Sequence, residues 1–85
     1  MSVLLDDREK TMLAIEAARP RHNGPKEELI REKLGMSAAR YYQLLGRLID
    51  TEQAMQHDPI LVGRLRRARD ARVQKRAVRM YDSTR

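Results

Sequence analysis

The chain has 85 residues and a formal net charge of +6, with 41% hydrophobic and 35% charged residues. That length is one small domain with room for a tail, and the apolar share is too high for a wholly disordered chain. With no cysteine present, disulfides and thiolate-held zinc or iron–sulfur centres are excluded.

Residues 1–7 have neither a basic n-region nor an apolar h-region, so no signal peptide is expected there. No apolar run approaches the roughly 18–20 residues that span a bilayer. Asp6 or Asp7 is placed to cap a first helix that runs to Arg19 and stops at Pro20. Leu5, Met12, Leu13 and Ile15, with the alanines at 14, 17 and 18, predict a broad, shallow apolar face for it. Residues 21–24 read as a turn. Pro25 is expected at the first position of a second helix, where its missing N–H is harmless. Ile30 and Leu34 form the core stripe of that helix, and Gly35 ends it in a left-handed conformation. Ser37 caps a third helix from Ala38 to about Ile49, with Tyr41, Leu44, Leu45 and Leu48 on one face. Asp50-Thr51 is placed to cap a short helical piece through Met55. Asp58-Pro59 then opens a long final helix to Met80, about 33 Å in length. Leu61, Leu65 and Ala68 form its apolar stripe. The same stripe continues as Arg72, Lys75, Arg76 and Arg79, so the first half is expected to dock and the second to leave the body.

The expected fold is therefore all-α: a small helix-turn-helix bundle of three to four helices in a head over residues 1–58, and a basic C-terminal helix and tail over residues 59–85. Charge follows the same division. Residues 1–58 hold nine Lys/Arg against ten Asp/Glu, net −1, whereas residues 59–85 hold nine against two, net +7. Such asymmetry points to a polyanion, most often nucleic acid.

The segment at about 25–49 fits a helix-turn-helix frame. With Gly35 at the turn, Ile30, Leu34, Met36, Tyr41 and Leu44 fall on the positions where the two helices bury side chains against each other. Arg31 departs from the frame at a site that favours a small residue, and is expected to reach outward. In this motif the second helix enters the major groove. The residues it would present are Ser37, Ala38, Ala39, Arg40, Tyr42, Gln43 and Arg47. Gln43 suits adenine edges and an alanine methyl suits thymine, but small side chains and one flexible arginine imply modest sequence specificity. Backbone or minor-groove contacts are expected from Lys26, Arg64, Arg66, Arg67, Arg69, Arg72, Lys75, Arg76 and Arg79.

The run Ser37-Ala38-Ala39-Arg40-Tyr41-Tyr42-Gln43 and the run Asp58-Pro59-Ile60-Leu61-Val62-Gly63-Arg64-Leu65-Arg66-Arg67 resemble those of small actinobacterial helix-turn-helix proteins classed as a domain of unknown function. The resemblance covers about residues 4–80. It implies a DNA-binding protein, a transcription regulator or nucleoid-associated factor. The chain departs from that pattern at residues 15–20, where a phenylalanine and a pair of tryptophans are expected.

The expected partner is double-stranded DNA, with the protein cytoplasmic at the nucleoid. Two other readings stand beside it: a protein-docking module for the transcription machinery, and an RNA-binding protein. No catalytic constellation is present, and neither His22 nor His57 has metal-ligand spacing around it. No enzyme activity, metal, cofactor, membrane or small-molecule substrate is expected. Monomer and homodimer both stay open.

Overall fold

A computed structural model describes the backbone of residues 4–82 and the side chains of residues 4–76. Among the described residues there are five helices and no strand: α1 (Asp7–Ala18), α2 (Gly24–Leu34), α3 (Ala38–Leu48), α4 (Glu52–His57) and α5 (Pro59–Asp82). None of these helices is long and apolar enough to cross a membrane.

Every helix start is a side-chain cap. The Asp6 carboxylate accepts from the Glu9 amide at 2.7 Å, and Glu9 Oε1 accepts from the Asp6 amide at 3.0 Å, a reciprocal capping box. Ser37 Oγ accepts from the Arg40 amide, Thr51 Oγ1 from Ala54, and Asp58 Oδ1 from Leu61. These are the expected caps. The start of α2 differs by one residue. The Asn23 carboxamide accepts from the Lys26 amide at 3.1 Å, so Gly24 opens the helix and Pro25 takes its second position. Any amide of the first turn lacks a helical acceptor, so proline fits there equally well. Gly35 closes α2 at φ +64°, and its N–H donates to the Arg31 carbonyl.

Met12, Leu13 and Ile15 from α1, Ile30 from α2, Tyr41, Leu45 and Leu48 from α3, and Leu61 and Val62 from α5 meet in one core, with Ala54 of α4. Of the five expected helix-turn-helix positions, Ile30 and Tyr41 are fully buried, and Leu34, Met36 and Leu44 pack at the margin. Arg31 is exposed, as expected. The face of α1 is a correction: Ala14, Ala17 and Ala18 are exposed, and Glu16 is buried in their place. Successive turns of α1 bring Met12, Leu13 and Glu16 inward. The alanines face out and act as helix formers rather than as core.

Helix α5 begins inside the core and has left it by residues 70–76. Leu61 and Val62 are buried, Leu65 is half-buried, and residues 70–76 are all exposed. Two arginines fasten its middle to the C-terminal end of α3. The Arg66 Nε–H donates to the Ile49 carbonyl. Arg69 Nη1 donates to both Asp50 carboxylate oxygens at 2.8 Å.

Candidate nucleic-acid interface

Ser37 points the chain into α3, and the 3.6-residue period then sorts its side chains. Tyr41, Leu45 and Leu48 face the core, while Ala39, Arg40, Gln43 and Arg47 are exposed on the opposite side. Ser37 is also exposed, and Ala38 is half-buried. Arg40 Nη1 donates to Gln43 Oε1 at 3.0 Å, so these two residues form one polar unit on the outer face.

Tyr42 occupies the edge of that face rather than its centre. Its ring is half-buried, set edge-on to Tyr41 at 5.0 Å and to His22 at 5.1 Å between centroids. A hydrogen bond of 3.0 Å joins its hydroxyl to His22 Nδ1.

Lys26 is a correction. It was expected on the DNA backbone, yet it is 1% exposed. Its Nζ sits 2.7 Å from Glu16 Oε2 and 5.1 Å from the centroid of the Tyr42 ring. The same carboxylate oxygen accepts from the Tyr41 hydroxyl at 2.6 Å, and that hydroxyl also lies 3.1 Å from the Met12 carbonyl. A buried ammonium needs a counter-charge, and here α1 supplies it to α2. Burial, and then the Glu16 carboxylate, push the Tyr41 phenol far above its ordinary range. The phenol is therefore a fixed donor.

The signal for this pair lay in the spacing. Lys26 precedes Ile30 and Leu34 at four-residue intervals, so it shares their inward stripe. Glu16 follows Met12 and Leu13 on the inward side of α1 in the same way.

The cations of α5 divide into two sets. Arg66 and Arg69 engage the head through Ile49 and Asp50, and Arg69 also touches Asp70 at 3.3 Å. Arg64, Arg67, Arg72, Lys75 and Arg76 are exposed, and none joins an ion pair among the described residues. The side chain of Arg79 lies outside the described residues.

Between α3 and α5 runs an open groove of about 660 Å³. Tyr42, Gly46 and Ile49 line one wall, and Leu65, Ala68 and Arg72 line the other. Pro20, His22 and the Glu16–Lys26 pair lie at its margin. Glu16 and Gly46 are the residues of this region whose roles sequence reasoning did not assign, and Asp50, expected with Thr51 at the start of α4, leaves that cap to Thr51 and accepts from Arg69 instead. Among the described residues no group of His, Asp or Glu is arranged to hold a metal ion.

No curated protein and no solved structure matches the chain. A family model does match: residues 4–77 fit the family described as "Protein of unknown function (DUF3263)". The match takes in all five helix starts, the buried Glu16–Lys26 pair and the exposed cations of α5 through Arg76, and the chain belongs to this family.

Proposed function

We propose that the protein binds double-stranded DNA, with α3 in the major groove and the cationic face of α5 along the phosphate backbone. The observation that carries this reading is the exposed set Arg64, Arg67, Arg72, Lys75 and Arg76, with no carboxylate partner among the described residues. Five unneutralised cations on one helix repel one another in the free protein, and a row of phosphates relieves that repulsion. The outer face of α3 supports the same reading. Its Arg40–Gln43 unit and Arg47 offer donors to base edges or phosphates, but the rest of its exposed surface is alanine and serine. Affinity then comes mainly from the backbone and discrimination is modest. That balance fits a nucleoid-associated protein or a broad transcriptional regulator.

The test is fluorescence anisotropy with a random-sequence duplex of about 25 base pairs at several salt concentrations. Submicromolar binding with a log–log salt slope of about −5 or steeper is the expected result. Absence of binding to random duplex, together with no motif from random-site selection, overturns the reading. Preference for structured RNA at equal nucleotide concentration replaces DNA with RNA as the polyanion.

A further inference from the structure

Gly46 has no structural explanation within the fold. It lies in the interior of α3, where glycine weakens a helix relative to alanine. Its φ is not positive, since Gly35 alone has that conformation among the described residues. Nor does a neighbouring helix press against it, because a Cβ added at Gly46 meets no atom within 4 Å. The space above it is the groove between α3 and α5.

The groove has the volume of a small-molecule site, which is typically about 300–1,000 Å³. Its walls are mostly apolar, with the face of α3 flattened at Gly46 beside the Tyr42 ring. Three of its cations differ in what they touch. Lys26 is held by Glu16 and Arg69 by Asp50. Arg72 also lines the groove, is exposed, and joins no ion pair among the described residues.

We propose that this groove binds a small aromatic carboxylate. Its flat ring lies over Gly46 against Tyr42, Ile49 and Leu65, and its carboxylate meets the Arg72 guanidinium. A planar body fits where a side chain at position 46 would stand, and guanidinium pairs with carboxylate in a forked geometry. The remaining carboxylate at the groove margin, Glu16, is already paired with Lys26, so the ligand anion is directed to the α5 end.

The test is an NMR titration of the full chain with 2-naphthoate, without DNA, so its failure and that of the DNA reading are separate events. Saturable amide shifts are expected at Gly46, Ile49, Leu65 and Ala68. Arg72→Gln weakens binding about tenfold, as loss of a charge-assisted hydrogen bond implies. Neutral 2-naphthalenemethanol binds the wild-type chain about tenfold more weakly than 2-naphthoate and does not distinguish it from Arg72→Gln. Gly46→Leu fills the groove and abolishes binding, with a Tm at or above the wild-type value because leucine favours the helix. Ala68→Leu narrows the groove from the opposite wall at an exposed position and gives the same loss if Gly46→Leu does not fold. Absence of saturable shifts, shifts confined to other surfaces, undiminished affinity in Arg72→Gln, or normal binding by a folded groove-filling variant overturns the proposal.

Discussion

Lys26, Glu16 and Tyr41 form a small polar unit inside an apolar core, with Lys26 Nζ 2.7 Å and the Tyr41 hydroxyl 2.6 Å from one carboxylate oxygen. Removing one partner leaves the other charge buried and uncompensated, which costs more than the pair contributes. Lys26→Met is therefore expected to destabilise the protein by about 3–5 kcal/mol in a denaturant titration. The double variant Lys26→Met with Glu16→Leu should recover most of that loss. Equal instability of single and double variants would show that packing, not charge, sets the cost. The raised pKa of Tyr41 has its own signature. The folded state holds the phenol proton more tightly than the unfolded chain does, so this contribution is complete below the unfolded value of about 10. Stability should fall as pH rises above that point, and Tyr41→Phe should fall less steeply. None of this unit was legible as a unit. A lysine and a glutamate in a 35%-charged chain have the composition of surface residues, and only their register with Ile30 and Met12 marks them as inward.

Helix boundaries were legible because each is a short-range event. Asp6, Ser37, Thr51 and Asp58 bond to amides three residues ahead, and Gly35 is the single described residue with positive φ. No tertiary contact is needed to write those caps. The inward face of α1 was less legible, since three alanines resemble a shallow core when counted as apolar, and side-chain volume decides which face is buried. The course of α5 was legible in the change from Leu61 and Leu65 to Arg72 and Arg76 along one stripe. What spacing alone did not show is the fastening at its middle, where Arg69 grips Asp50. Beyond that contact, residues 70–76 are all exposed. In the free protein, amides near Leu61 and Val62 should exchange slowly, and those of residues 71–76 at rates close to an isolated helix. Uniform slow exchange through residue 76 would mean that a second chain covers this segment.

At the scale of the whole molecule, the head is near charge balance and the cations accumulate on one projecting helix. That separation lets the two parts be altered independently. Arg72, Lys75 and Arg76 are all exposed, so changing them together to glutamine should leave stability within about 0.5 kcal/mol per site. Duplex binding should weaken for every sequence, and the salt slope should become shallower by about 3, near 0.9 for each phosphate that is no longer neutralised. An unchanged slope would place the DNA interface elsewhere. The ion pair between α1 and α2 bears on portability. Moving a helix-turn-helix segment to another scaffold as a cassette assumes that its two helices carry all they need. Here the segment from Asn23 to Leu48 includes an inward ammonium whose counter-charge sits on the preceding helix. Excised alone, or grafted onto a host without an equivalent carboxylate, it brings an unmatched charge to the new junction. The smallest transferable unit of this protein thus begins at the Asp6 cap, not at the motif.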